Sequence, residues 1–262
     1  MKIVFAAATA ALGLAACVTA DVVPPDVARD LAPSGTLHAA INYGNPVLAQ
    51  RDATSGELRG VSVDLARELA RRAGLPLELR PYEAAGKVTA DATSGRWDIA
   101  FVARDPDRAK EIEFTAPYVI IEGGYLVRES SPLQSTADVD REGVRIAVSR
   151  GSVYDLFLSR GAIKRATLVR AQSPQASLEQ FARDRLDVAA GVKTVLVDYA
   201  RTHAGYRVVP GRFMVIEQAM ALPQGRPLAA RYLRDFIDEM KASGFVAVSL
   251  AKSGQKQAAV AP

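Results

Sequence analysis

Arg108 stands where a cation is unexpected. In the run "ARDPDRAKE" (103–111), Asp105 reads as a helix N-cap, Pro106 as the first helical residue and Asp107 as a first-turn acid. A helix N-terminus carries partial positive charge and free N–H groups, which disfavours a cation there by a few tenths of a kcal/mol. An anion bound nearby would reverse that sign. The alternative is that Arg108 pairs with Asp105, Asp107 or Glu111 on a solvated face. This stretch alone leaves both readings open.

The other residue types that carry chemistry are scarce. Two histidines, His38 and His203, and one cysteine, Cys17, occur in 262 residues, too few for a Cys/His metal cluster. Neither histidine sits in a recognisable Ser-His-Asp motif, and a solvated or core histidine is the plainer reading of each. The chain has no P-loop and no GxGxxG followed by an acid, so no cofactor is expected. The net charge of +4 comes from interspersed acids and bases. Without a basic block interleaved with aromatics, nucleic acid is not an expected partner.

Cys17 has its own context. "MKIVFAAATAALGLAAC" has one lysine, a short apolar run and then Leu14-Ala15-Ala16-Cys17. The run is too short for a typical spanning helix and fits a signal-peptide core. Its end reads as a bacterial lipobox, making residues 1–17 a lipoprotein-type signal peptide and Cys17 the lipidated mature N-terminus. Ordinary cleavage after Val18-Thr19-Ala20 is the alternative, and either route exports the chain. A single lipidated end anchors a protein without spanning the membrane. Residues 18–35, with Pro24, Pro25 and Pro33, read as a tether.

The elements that must position Arg108 follow an α/β rhythm. With 49% hydrophobic residues a sizeable core is expected, in one large domain or two lobes. The patterning predicts a strand at 36–42, an amphipathic helix in "VSVDLARELARRAG" capped by Ser62 and ended by Gly74, a strand at 76–80, a helix at about 84–94 closed by Gly95, and a strand at 97–103. The rhythm then restarts, with a strand at 144–149, a Gly151-Ser152 turn opening a helix, a strand in "TLVRA", a helix at 174–185 and a strand in "LDVAAG". "SGRWDIAFVA" and "RDRLDVAAGV" share a basic residue, an apolar residue, Asp, a β-branched residue and Ala, a hint of two lobes on one plan. Asp98 and Asp187 then start strands for structural reasons. "YVIIEGGYLVR" (118–128) and "FMVIEQAMAL" (213–222) are extended and β-rich, and read as two strands crossing between lobes. "PLAARYLRDFIDEMKASG" is a helix whose Leu228, Tyr232, Phe236 and Met240 form a core stripe packing back on the first lobe. The expected organisation is lobe 1 at 36–119, lobe 2 at 120–219, a return to lobe 1 at 220–252 and a flexible tail at 253–262.

In their order, "GELRGVSVDLARELARRAG", "SGRWDIAFVARDPDRAKEIEFTAPY", "GVRIAVSRGSVYDLF" and "LRDFIDEMKASGF" resemble the family 3 extracytoplasmic solute-binding proteins over roughly residues 34–252. The resemblance implies an α/β, two-lobed, periplasmic-binding-protein-like fold of type II. Its lobes are joined by two hinge strands and close on a small-molecule ligand destined for an ABC permease in the inner membrane. It also implies that Arg108 grips a ligand carboxylate, for which a planar guanidinium is suited. Ser152 and the N–H groups at Val153 would complete the anion site from the opposite lobe. In "NYGNP", Asn42 or Asn45 would supply polar contacts, and Tyr43 a stacking ring or simply an ordinary wall residue. The expected ligand is an amino acid or related organic acid, and a monomer is the default for a receptor of this kind.

Several positions depart from the family pattern. Val192 and Lys193 stand where an acid usually meets the ligand ammonium. Phe101 and Ala103 replace the small polar residues before the arginine. Lys193 with Arg108, and Arg104, would suit two anionic groups or a carboxylate lacking an ammonium; a solvated charge is the alternative for Lys193 and Arg104. Two other functions fit the same fold. A cyclohexadienyl or arogenate dehydratase would need a general acid in the cleft, for which Glu122 and Glu217 are available. A ligand-sensing accessory protein would signal through a separate chain.

Overall fold

In the computed structural model, which describes residues 23–255 and 257–262, the two α/β rhythms become two lobes on one continuous sheet. The expected signal peptide and Cys17 lie outside the described residues. The first rhythm comprises α1 (Pro25–Leu31), β1 (Leu37–Asn42), the short pair β2 (Gln50–Arg51) and β3 (Leu58–Arg59), α2 (Val61–Ala73), β4 (Leu77–Tyr82), α3 (Ala85–Ala90) and β5 (Ile99–Ala103). The long strand β6 (Ile112–Arg128) then leads to β7 (Arg145–Ser149), α4 (Val153–Phe157), β8 (Thr167–Ala171), α5 (Pro174–Arg183), β9 (Val188–Val192), α6 (Lys193–Thr202) and β10 (Tyr206–Val208). The chain returns through β11 (Met214–Pro223) to α7 (Pro227–Ala242), α8 (Phe245–Lys252) and β12 (Ala259–Val260).

The strand order is β4-β1-β5-β11-β6-β9-β7-β8. The triplets β4-β1-β5 and β8-β7-β9 are parallel and connected alike, as expected for two lobes on one plan. The two aspartates show why the short repeat exists. Asp98 Oδ2 accepts the His38 N–H at 2.9 Å, and Asp187 Oδ2 accepts the Arg145 N–H at 2.9 Å. Each carboxylate satisfies an N–H that the parallel ladder leaves open at the start of the neighbouring strand. Between the triplets, β6 and β11 pair antiparallel from Met214↔Gly123 to Pro223↔Ile112 and carry the chain from one lobe to the other.

Several expectations change. Residues 25–31 are not an extended tether. Pro25 at the first helical position preorganises α1; Leu31 is buried, and Asp30 Oδ2 caps α7 by accepting the Leu228 and Ala229 N–H groups at 2.9 Å. The tail does not run free, because β12 adds to β6 at Val119 and Ile120. Gly60 rather than Ser62 is the N-cap of α2, since Ser62 is buried with its hydroxyl 3.1 Å from the Tyr118 hydroxyl. Gly74 closes α2 in the left-handed conformation, φ 64°, as its type predicts. The helix expected over 84–94 ends at Ala90. On α7 the buried positions are Ala229, Ala230, Leu233, Phe236, Ile237 and Met240, and Leu228 is 42% exposed. A strict spacing of four drifts off a face of period 3.6.

Candidate functional site

Four parallel strands point their carboxyl ends at the space between the lobes, the usual place for a ligand in an open α/β sheet. Asn42 ends β1, Ala103 ends β5, Ser149 ends β7 and Val192 ends β9, and all four line one cavity. Arg108 joins them from the first lobe. Ser152, Val153 and Tyr154 join from the start of α4, Val195 and Leu196 from α6, and Ile216 and Gln218 from β11. The cavity volume is about 60 Å³, so the space is small.

Arg108 makes none of the three ion pairs that its sequence context offered, with Asp105, Asp107 or Glu111. The segment is a single 3₁₀ turn, Arg108–Lys110, because β6 begins at Ile112; there is no long helix whose dipole could act on the cation. Asp105 Oδ1 accepts the Asp107 N–H at 2.9 Å. Arg160 of the other lobe claims what remains, with Nη2 2.6 Å from Asp105 Oδ2 and Nη1 2.9 Å from Asp107 Oδ2. Arg108 is left 5% exposed, donating Nη1–H to the Ala103 carbonyl and Nη2–H to the Gly151 carbonyl, each at 2.8 Å. Its buried Nε has no partner among the described residues. Burial pushes its pKa down to about 10, and nearby Asp105 opposes the shift, so the guanidinium is charged near neutral pH. A charged, buried donor with an unused N–H is costly unless an acceptor completes it.

The second lobe meets Arg108 closely. Gly151 (φ 68°) lies against Gly86 of α3; a Cβ on Gly86 would stand 2.4 Å from the Arg150 carbonyl oxygen. Ser152 caps α4, its Oγ accepting the Asp155 N–H at 3.1 Å. Asp155 also accepts from the Gly151 N–H and from Arg170, both at 2.9 Å. Among the described residues, no acceptor meets the Val153 and Tyr154 N–H groups. The Tyr154 phenol lies in the cavity wall beside the Ser152 and Ser149 hydroxyls, and burial raises its pKa to about 12, so it stays a neutral donor.

The predicted site residues separate accordingly. Arg108, Asn42, Asn45, Ala103, Ser152 and Val153 come together. Phe101 does not: it is wholly buried, edge-on to Tyr118 at 6.2 Å, two residues deeper in β5 than Ala103. Lys193 turns away. Its stem packs over Gly124, and its ammonium lies 3.0 Å from Glu122, which Arg212 also holds at 2.6 Å. Tyr43 does not line this cavity but an adjoining pocket, with Glu83, Leu178, Tyr199 and His203, and the Arg51 guanidinium lies 5.5 Å from its ring centre. Arg104 pairs with Glu217 at 3.2 Å on the surface. Glu122 and Glu217 do not line the cavity, and hydrogen bonds from Arg212 and then Lys193 hold the Glu122 carboxyl below its ordinary range.

Sequence reasoning missed Gln218, Tyr154 and Ser149. Gln218 is 5% exposed on a crossing strand, at a register shift that re-aims the chain. Its available signal was a polar pair, Glu217 and Gln218, inside an otherwise apolar strand.

The same fold is found in known proteins to which this chain is similar. It is 27% identical over 194 residues to the L-cystine-binding protein TcyJ of Escherichia coli strain K12, covering 72% of this chain and 71% of that protein. An amino acid ABC transporter substrate-binding protein, AbpA of Streptococcus pneumoniae, solved bound to L-arginine, superposes with a TM-score of 0.73 at 19% identity, over 85% of this chain and 96% of that one. The ancestral amino-acid-binding protein AncCDT-1, described as a precursor of cyclohexadienyl dehydratase, gives 0.72 at 20% identity over 86% and 97%. The model of the bacterial extracellular solute-binding proteins, family 3, matches residues 37–254, and the chain belongs to that family.

Proposed function

We propose that this protein captures a small carboxylate-bearing solute between its lobes and delivers it to the membrane permease of an ABC importer. The observation that carries the reading is Arg108, a buried guanidinium that among the described residues has no acidic partner and an unused Nε–H, lining a cavity built from both lobes. A carboxylate is the acceptor its planar fork fits. Relatives named for L-cystine and solved with L-arginine support a solute of this size and class. Lobe closure that assembles the site from two halves gives a permease something to recognise.

Export with Cys17 as the lipid attachment point, and action as a monomer, belong to the same proposal; among the described residues no helix is long and apolar enough to cross a membrane. We assign binding without chemistry, because Glu122 and Glu217, the acids on the crossing strands, stand outside the cavity. A thermal-shift panel of amino acids, aliphatic and aromatic acids and dicarboxylates tests the reading. A ligand at a hundred times its Kd stabilises the fold by about 2.7 kcal/mol. The expected result is a shift with one carboxylate class that Arg108→Ala abolishes; equal shifts in the variant would overturn the assignment.

A further inference from the structure

We infer that the ligand is a short, apolar-bodied monocarboxylate without an α-ammonium group. The inference rests on the reading of Arg108 as the carboxylate clamp and names the class of acid. Among the described residues lining the cavity, Arg108 is the one charged side chain. A carboxylate neutralises it. An amino-acid zwitterion brings a second cation into the same small space, next to that guanidinium.

No acid is placed to receive that cation. Asp105 and Asp107 are held by Arg160, Asp155 by Arg170 and the Gly151 N–H, Glu122 by Lys193 and Arg212, and Glu217 by Arg104. None of these acids lines the cavity. Glu83 and Glu179 line an adjoining pocket and not this cavity, whereas an α-ammonium is tied within one carbon of the carboxylate. Burying an ammonium without an anionic partner is strongly unfavourable.

The rest of the wall fits an aliphatic body: Val153, Ala190, Val192, Val195, Leu196 and Ile216. A second carboxylate finds no second cation there, because Lys193 is committed to Glu122. Gln218 lines the cavity at 5% exposure, and its amide makes no side-chain hydrogen bond among the described residues, so it offers a neutral partner to an α-keto or α-hydroxy oxygen.

Calorimetry with acids of matched skeleton tests this: isovalerate, α-ketoisovalerate and L-valine, then butyrate, α-ketobutyrate and L-α-aminobutyrate. An amine-free acid in each set is expected to bind at least about tenfold more tightly than its amino acid, with the binding lost in Arg108→Ala. Val192→Asp, which puts an acid in the wall, is expected to move the preference toward the amino acid by a similar factor. Amino acids binding as tightly as the matched acids, again in an Arg108-dependent way, would overturn this inference and leave the carboxylate clamp standing. If no acid in either set binds, or if binding ignores Arg108→Ala, the clamp fails and the inference fails with it.

Discussion

Gly86→Ala should cripple ligand binding without harming the fold. The added methyl would stand 2.4 Å from the Arg150 carbonyl oxygen and 3.1 Å from the Gly151 Cα, both on the opposite lobe. Backbone atoms cannot swing aside as a flexible side chain would. To regain ordinary contact the Arg150–Gly151 peptide must retreat by about 1 Å. That stretches the 2.8 Å bond from Arg108 to the Gly151 carbonyl to about 3.8 Å, beyond hydrogen-bond length. A bond from a charged donor contributes about 1.5–3 kcal/mol, so the Kd should rise roughly ten- to a hundredfold. Within α3 itself alanine is the better residue, by up to about 1 kcal/mol, so the ligand-free variant should melt no lower than the parent. Calorimetry against the acids above gives the affinity, and small-angle scattering at saturating ligand reads whether the lobes approach as far. An unchanged Kd with an unchanged compaction would refute the claim that binding requires this contact.

Other perturbations probe the cleft and the scaffold separately. Arg160→Ala removes the cross-lobe bonds to Asp105 and Asp107; since Asp105 is nearly enclosed, its side chain 1% exposed, affinity should fall by about tenfold, while the ligand-free melting temperature stays within a degree or two. Asp98→Ala strips partners from the His38 N–H and from Arg226, whose Nη1 lies 3.0 Å away. The loss should be about 3 kcal/mol, seen as a melting point roughly 6–12 °C lower. The hydrogen bond from Arg71 foremost, reinforced by Arg72, lowers the Glu68 carboxyl from 4.5 to about 2. A depressed carboxyl contributes stability that is complete above its ordinary value and lost as pH falls from 4.5 toward 2. Melting curves over that window should therefore be flatter for Glu68→Gln than for the parent.

The resemblance pointed to Arg108 as the carboxylate clamp, and the structure explains why pattern alone left two readings open. Of the three acids that might have paired with Arg108, Asp105 and Asp107 are taken by Arg160, fifty-odd residues on and in the other lobe. Phe101 and Ala103 lie on the same face of β5, yet only Ala103 reaches the cleft. Depth along the strand, not side-chain alternation, decides which of them a ligand can touch. Lys193 was misplaced for a related reason: the bare surface of Gly124 lets its stem run to Glu122, a route that exists only once β6 and β9 are paired.

Local physics, written in the chain itself, determined much of this protein. Short apolar runs produced the parallel strands, Gly74 ended α2, Ser152 capped α4, and the two aspartates marked matching strand starts. These depend on neighbours within a turn or on one periodic face. Tertiary structure alone decided the chemistry of the cleft. It brought Asn42, Arg108, Tyr154 and Gln218 to one cavity, folded the N-terminal segment onto α7 and spent Lys193 on Glu122. Each of those outcomes turns on which charge reaches which partner first, and long-range packing sets those distances.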